Sequence, residues 1–443
     1  MSLDHAFIAA TRFGFGPRPG DPQPIAGDPR GWLRAQLGEA VPPRALQGLE
    51  NTAALYTTLD RERQKGPGPY MAYLKDQASA VVKHEAARRT AAAIESDSPF
   101  RERLVQFWSN HFTVSATRTV AAALAGAFER EAVRPNVTGR FADLLLASSQ
   151  HPGMLVYLDN YVSFGPQSRI GSNRERGLNE NLAREILELH TLGVDGGYSQ
   201  ADVIALARII SGWSVAGIKE LGTGRYRYRP FAHEPGDKVL LGKTYREDGE
   251  DEGKAALSDL ARHPATARFI ATKMARHFIA DDPAPATVAR LAGVFRQSDG
   301  DLNQMALALI DSPEVWEAPL SKFKTPNDLV ISTFRSFSQR QMDDDRPLIG
   351  ALSELGQFPF NAPSPAGWPD RAADWLAPEA LMRRIEWARG IGQAAPQNGQ
   401  ILQWAELVLG PALSRPTRTL ISQAESTREA VALGLASPEF QRR

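Results

Sequence analysis

Apolar residues recur with the period of an α-helix along most of the chain. The pattern predicts helices over residues 3–11 and 70–94, and another that starts at Pro99 with Ser98 as its N-cap. Further periodic segments predict helices over 140–149, 179–192, 200–212, 265–279, 285–296, 302–311, 326–338, 346–355, 377–390 and 418–435. We therefore expect a mainly α, multi-helical protein.

Strict alternation of apolar and polar residues, which is typical of a half-buried strand, is scarce. The best examples are residues 225–229 and 239–242, which flank a turn sequence rich in proline and glycine at 234–237. The pattern predicts one small β-hairpin in which these two segments pair.

The chain has 443 residues, and single hydrophobic cores usually stop growing at about 250–300 residues. We therefore expect two or three helical lobes. These are an N-terminal lobe over 1–150, a central lobe with the β-hairpin over 151–320, and a C-terminal lobe over 321–443. Hydrophobic residues make up 42% of the chain and charged residues 23%, a balance typical of a folded protein.

The chain has 51 Lys and Arg, 51 Asp and Glu, and no cysteine. The balanced charge gives no reason to expect a nucleic-acid partner, and the lack of cysteine excludes disulfides, thiolate catalysis and cysteine-ligated metals. No apolar stretch approaches the roughly 18 residues of a membrane helix, and no signal peptide is visible. We expect the cytoplasm by default, with co-export to the periplasm as the alternative.

Polar residues are densest in the segment 179–193, which we call the signature helix. Asn179 is a good N-cap and Gly193 a good helix terminator. In a helix, one stripe carries the polar side chains of Asn181, Arg184, Glu185 and Glu188. An apolar stripe lies on the opposite side. The polar stripe is either a solvated face with an ion pair between Arg184 and Glu188, or the wall of a site.

Two histidines stand in unusual surroundings. His111 ends an aromatic helix, and His233 lies at the predicted hairpin. Together with Glu185 they supply ligand types that a divalent metal prefers, although no HExxH spacing occurs. If the fold brings them together, we expect His111, His233 and Glu185 to hold a metal. Otherwise each histidine is a hydrogen-bonded residue of a packed region.

The remaining roles follow from residue chemistry. We expect Glu185 or Glu188 to act as a general base, His111 to carry protons and Arg184 to hold an anion. We expect the substrate to be bound by Asn110, Asn181, Trp213 and Trp368, the last on a long aromatic loop. Pro326 is expected to begin a helix, with Asp328 in its first turn. We interpret Asp328 and the preceding Lys322 and Lys324 as helix initiation with an ordinary charge pair.

A set of motifs runs through the chain in order. They are Arg12-Phe13-Gly14-Phe15-Gly16, Phe107-Trp108-x-Asn110-His111-Phe112, Met154-Leu155-x-Tyr157-Leu158-Asp159-Asn160, the signature helix, Ser211-Gly212-Trp213, Lys324-x-Pro326, Gly367-Trp368-Pro369 and Ser437-Pro438-Glu439-Phe440. Together they resemble the bacterial family called domain of unknown function 1800. The family's His-Asp at the hairpin is His233-Glu234 here, where a longer carboxylate could fill the same role.

The resemblance implies a bacterial protein whose activity is not known. Such proteins are often encoded beside an exported, sulfatase-like family, domain of unknown function 1501. Two hypotheses follow. The first is a metal-assisted hydrolase of a cell-envelope substrate, with a central pocket of His, Glu and Arg. The second is a non-enzymatic partner or export companion of the sulfatase-like protein.

Overall fold

The computed structural model describes residues 3–39, 41–117, 119–171, 177–217, 223–317, 319–337, 341–394 and 401–443. These residues form 22 α-helices and two small antiparallel sheets, which confirms the mainly α class. Among the residues described, none of the helices combines the length and apolar character that a membrane span needs.

Helices follow one another with mostly short connections. The first eleven are α1 (Leu3–Ile8), α2 (Pro22–Gly27), α3 (Pro29–Ala35), α4 (Thr52–Gln64), α5 (Pro67–Glu95), α6 (Pro99–His111), α7 (Thr119–Phe128), α8 (Phe141–Gln150), α9 (Pro152–Tyr157), α10 (Asn181–Glu185) and α11 (Gln200–Ile209). The others are α12 (Glu250–Arg262), α13 (Pro264–Phe278), α14 (Pro285–Gln297), α15 (Leu302–Ile310), α16 (Pro313–Glu317), α17 (Pro326–Ser336), α18 (Arg346–Glu354), α19 (Pro378–Ala394), α20 (Ile401–Leu409), α21 (Arg415–Ser422) and α22 (Thr427–Ala436). Many begin with proline, whose missing N–H costs no hydrogen bond in the first turn.

The predicted and observed helices differ where periodicity is a poor guide. Helix α7 has no polar stripe to reveal it, because its sequence is almost entirely alanine and other apolar residues. The predicted helix over 418–435 is two helices, α21 and α22, because Ser426 caps a new helix by accepting a hydrogen bond from the Glu429 backbone. The signature helix begins as α10 and continues as a π-helix over Ile186–Thr191.

The predicted β-hairpin is wrong in its pairing. Strand β1 (Trp213–Val215) pairs with β2 (Tyr226–Tyr228), and β3 (Lys238–Leu240) pairs with β4 (Lys243–Tyr245). Leu241 and Gly242 both have positive φ, at 49° and 76°, which suits the tight two-residue turn of a hairpin. That turn reverses the chain, so β3 pairs with β4, the next strand in sequence. The segment 226–228 therefore pairs with β1, and the structure has two small sheets in place of one hairpin.

Buried apolar side chains form two main clusters. The larger contains residues from Ala6 to Trp316, and the second joins the end of α5 to α17–α20 and α22. Helix α5 supplies both, with Leu74 in the first and Ile94 in the second. Residues on both sides of position 150 share the first cluster, and the three lobes remain a prediction.

Candidate functional site

A cavity of about 320 Å³ opens between α6, α13, the start of α17 and the loop 357–374, which we call the central cavity. This volume lies in the usual range for small-molecule sites. Three residues predicted to belong to a site line it: Asn110, His111 and Trp368.

Helix α6 supplies one wall. Arg103, Gln106 and Asn110 lie three or four residues apart, so they share one face of the helix and line the cavity. The Arg103 guanidinium is buried, donates to the Gly14 carbonyl oxygen at 2.7 Å and stacks over the Phe15 ring. The Phe13–Gly16 motif therefore positions a cavity residue.

The loop that carries Trp368 is held by Asn110. The Asn110 Oδ1 accepts from the Trp368 backbone N–H at 2.7 Å, and its Nδ2 donates to the Trp368 carbonyl oxygen at 2.9 Å. The preceding Gly367 has φ +83°, and a Cβ there would lie 2.4 Å from the Asn110 carbonyl oxygen. Only glycine fits this position, so the loop lies directly on α6.

His277 on α13 and Asp370 on the loop form a close pair. The His277 Nδ1 lies 2.8 Å from the Asp370 Oδ2, and the His277 Nε2 is buried without a partner among the described residues. Burial lowers the pKa of His277 to about 4, although the Asp370 charge opposes this shift. Burial would raise the pKa of Asp370, but His277, Lys322 and Arg443 outweigh it and lower the pKa. At neutral pH the pair is therefore a neutral imidazole that donates from Nδ1 to a carboxylate.

A buried ion network surrounds this pair. The Arg443 Nε lies 2.8 Å from the Asp328 Oδ2, and its Nη2 lies 3.5 Å from the Asp370 Oδ1. Arg103 pairs with Asp328 from the other side, at 3.3 Å. Burial would raise the pKa of Asp328, but Arg103 and Arg443 lower it. The interpretation of Asp328 as part of an ordinary helix-start pair is therefore incomplete.

Arg443 reaches the network because its backbone is fixed. The Arg443 N–H donates to the Lys322 carbonyl oxygen at 2.8 Å, and the Lys324 N–H donates to the Gln441 carbonyl oxygen at 2.8 Å. Phe323 and Arg442 form an isolated antiparallel bridge between these bonds. Lys324 is buried with its ammonium 4.1 Å from the Phe440 ring centroid, and burial lowers its pKa to about 7.

Five cavity-lining residues carry a buried polar atom that has no hydrogen-bond partner within the described ranges. They are Gln106 (Nε2), His111 (Nδ1), His277 (Nε2), Asn327 (Oδ1) and Trp368 (Nε1). Buried polar groups in proteins are nearly always paired, so such a concentration calls for an explanation. A bound polar ligand would satisfy both donors and acceptors.

His111 is buried in the wall of the cavity. Its Nε2 donates to the His190 carbonyl oxygen at 3.0 Å, which leaves Nδ1 as an acceptor. Burial lowers the pKa of His111 well below its ordinary value, and the nearby Lys273 charge adds to the effect. His111 is thus a neutral acceptor that links the cavity to the end of the signature helix.

The polar stripe of the signature helix lies outside the cavity lining. Asn181 is exposed, and Arg184 is 40% exposed and pairs with Glu180 at 3.0 Å. Glu188 accepts from the Tyr198 hydroxyl at 3.2 Å. Burial and the adjacent Glu188 charge raise the pKa of Glu185 to about 7. No residue of this helix lines the cavity; the two are linked by the bond from His111 to the His190 carbonyl oxygen, on the buried side of the helix.

His233 and Trp213 also lie elsewhere. The His233 Nδ1 donates to the Ser211 carbonyl oxygen at 3.0 Å, and its Nε2 lies 3.1 Å from the Glu252 carboxylate and 3.2 Å from the Lys238 ammonium. Trp213 is fully buried in the larger apolar cluster. Across the described part of the chain no group of three or more His, Asp or Glu is arranged to hold a metal, and the set of His111, His233 and Glu185 is no exception.

Three cavity residues, His277, Asp370 and Lys273, were not predicted from the sequence. Lys273 and His277 lie on α13, where basic residues near a helix end are explained by the helix dipole alone. Asp370 directly follows the Gly367-Trp368-Pro369 motif, and that position is the one signal that could have found it. His277 and Asp370 are 93 residues apart, so no local pattern joins them.

Comparisons with known proteins place the whole chain in one family. A search of curated proteins and a search of solved structures each found no match. The family described as "Protein of unknown function (DUF1800)" has a model that matches residues 8–442, nearly the full length. The chain therefore belongs to the DUF1800 family.

Proposed function

We propose that this protein is a hydrolase whose general base is His277. The observation that carries the proposal is the His277–Asp370 pair, in which Nδ1 is bonded at 2.8 Å and Nε2 is left without a partner among the residues described. A histidine oriented in this way by a carboxylate is the usual arrangement for general-base catalysis. The hydrolase of the sequence hypothesis is retained, and its proton-transfer role moves from Glu185 and Glu188 to His277.

The proposed step uses water as the nucleophile. The His277 Nε2 removes a proton from a water molecule while the water oxygen forms a bond to the electrophilic carbon, phosphorus or sulfur of the substrate. The bond to the leaving group then breaks, and the proton on Nε2 passes to the leaving group, which restores the neutral imidazole. Asp370 stabilises the imidazolium formed between these steps, as it accepts from Nδ1 throughout.

Donors around the cavity suit the negative charge that develops on the substrate. The unpaired Gln106 Nε2 and Trp368 Nε1 both carry hydrogen and belong to fixed residues of α6 and the loop. The Gln106 Oε1 accepts from the Asn327 Nδ2 at 2.8 Å, which orients the Gln106 amide. Donors that are already oriented in a water-poor site stabilise an oxyanion without reorganisation cost.

The test is a hydrolase screen with a matched pair of variants. Purified full-length protein is assayed on chromogenic carboxylic, phosphate and sulfate esters, together with His277→Asn. The control is His84→Asn, which removes an exposed histidine that also pairs with a carboxylate, that of Asp345. We expect His277→Asn to lower kcat by about 10²–10⁴-fold and His84→Asn to leave it unchanged. Equal turnover by wild type and His277→Asn would refute the proposal.

The second candidate is the partner role. As an export companion of a sulfatase-like protein, the chain would form a stable complex with it, and the polar cavity would serve folding alone. Co-expression and co-purification of the two proteins separates the candidates when combined with the screen. A stoichiometric complex without His277-dependent turnover favours the partner role, and His277-dependent turnover favours the hydrolase.

A further inference from the structure

The cations that line the central cavity are not all neutralised. Five lysines and arginines line it, and three of them have carboxylate partners. The pairs are Arg89 with Glu129, Arg103 with Asp328 and Arg371 with Asp282. Lys273 and Arg276 have no ion pair with any residue that the structure describes. Positive charge therefore remains on one side of the cavity.

Lys273 and Arg276 are neighbours on α13. They are three residues apart, so their side chains leave the helix on the same side, and His277 lies one turn from Lys273. The only hydrogen bond from the Arg276 side chain among the described residues goes from Nε to the Asp281 carbonyl oxygen, at 3.0 Å. Lys273 has no hydrogen bond there, and its ammonium lies 5.5 Å from the Phe269 ring centroid.

The carboxylates that line the cavity compensate for these two charges only in part, because Asp370 favours the charged form of Lys273 without an ion pair to it. Asp328 is held by Arg103 and Arg443, and Asp370 is bonded to His277. Asp374 is exposed at the rim. Two like charges in a half-buried place repel each other unless an anion joins them.

Resting on the proposed hydrolase function, we propose that the substrate carries an oxyanion group, which Lys273 and Arg276 bind beside the His277 base. A carboxylate, a phosphate or a sulfate all have this chemistry, and Arg with Lys is a common pair for holding them. The Cβ atoms of residues four apart on a helix are about 5–6 Å apart, so the anionic group would be bound close to the reacting atom. The substrate is then a small anionic ester or amide.

Anion binding would also improve the base. Burial lowers the pKa of Lys273 to about 8; the Asp370 charge opposes this shift and the Arg276 charge adds to it. An anion beside these cations favours the protonated forms of nearby groups, so it raises the pKa of His277 from about 4 towards neutrality. A base whose pKa is closer to the working pH is a better catalyst. The site would thus be activated by the substrate that it accepts.

The test measures binding separately from turnover. Isothermal titration with inorganic phosphate, sulfate and acetate is done on the wild type, Lys273→Met, Arg276→Met and the double variant, with Lys254→Met as a control. Lys254 is a partly exposed lysine outside the cavity, paired with Glu250 and Asp251. We expect each cavity variant to weaken binding of the preferred anion by about tenfold or more, and Lys254→Met to have no effect. The preferred anion identifies which group the substrate bears.

Further variants make the result decisive. Lys273→Arg keeps the charge and should restore most of the affinity. His277→Asn should still bind the anion while it loses turnover, so a failure of the hydrolase proposal would not be mistaken for a failure of this one. Equal affinity of the wild type and the double variant for all three anions, or the same loss in Lys254→Met, would overturn the inference. Circular dichroism spectra of the variants confirm that they are folded.

Discussion

The signature helix and the central cavity show how differently charge is used in two regions of one chain. The stripe at Arg184, Glu185 and Glu188 is dense in sequence, yet it lies partly in solvent and pairs with its own neighbours. The cavity draws His277, Asp328 and Asp370 from distant segments and buries their contacts. Nearby charges in a sequence can be local solvated pairs, whereas a site needs unpaired groups that the fold collects.

The largest expected difference between the signature helix and the central cavity is the effect of their variants on kcat. Glu185→Gln and Glu188→Gln should keep kcat within about twofold of wild type on whichever ester the screen identifies, because neither carboxylate lines the cavity. His277→Asn should lose about 10²–10⁴-fold. Steady-state kinetics of the three variants are the measurement. A loss in Glu185→Gln as large as that in His277→Asn would break the comparison.

The second expected difference between the two regions is in how much the loss of a carboxylate lowers the free energy of unfolding. Asp328→Asn leaves Arg103 and Arg443 buried without their shared carboxylate, which should cost about 3–5 kcal/mol of unfolding free energy. Glu180→Gln removes the surface pair with Arg184 and should cost less than about 1 kcal/mol. Urea denaturation followed by circular dichroism gives both values. Similar costs for the two variants would mean that burial does not distinguish these networks.

The third effect tests the loop that closes the cavity. Gly367 and Gly197 have the same φ, +83°. A Cβ added at Gly367 would lie 2.4 Å from the Asn110 carbonyl oxygen, whereas a Cβ added at Gly197 would have no neighbour within 4 Å. Gly197→Ala, just beyond the signature helix, should cost about 1 kcal/mol from backbone strain alone. Gly367→Ala should cost clearly more and should weaken anion binding. Melting temperatures of the two variants decide the matter, and equal shifts would contradict the close approach of loop and helix.

The smallest effect concerns pH. The pKa of Glu185 is raised to about 7 in the folded protein, above its unfolded value, so the folded state holds the extra proton. Stability from this group is present below pH 4.5 and is lost as pH rises towards 7 and beyond. Glu185→Gln should therefore be more stable than wild type by about 1 kcal/mol at pH 8, after allowance for partial exposure, and equal to it at pH 4. Unfolding measurements at both pH values check the sign.

The sequence allowed part of this architecture to be predicted. Long amphipathic helices such as α13 and α14 were found because each has one buried face. Asn110, His111 and Trp368 were placed at a site because they stand in compact motifs. The strand pairing failed because the turn at Leu241–Gly242, and not apolar alternation, decides it. His277 and Asp370 were missed because their contact depends on how a helix and a remote loop pack.

The backbone pairing that brings Arg443 to Asp328 and Asp370 has a consequence for the order of events during synthesis. Asp328 and Asp370 both precede Arg443 along the chain, so during synthesis they lack one of their counter-ions until Arg443 is added. A chain truncated before Arg443 lacks this counter-ion and should be less stable than the chain that carries it. The buried network at the cavity is therefore complete only when residues 441–443 are in place.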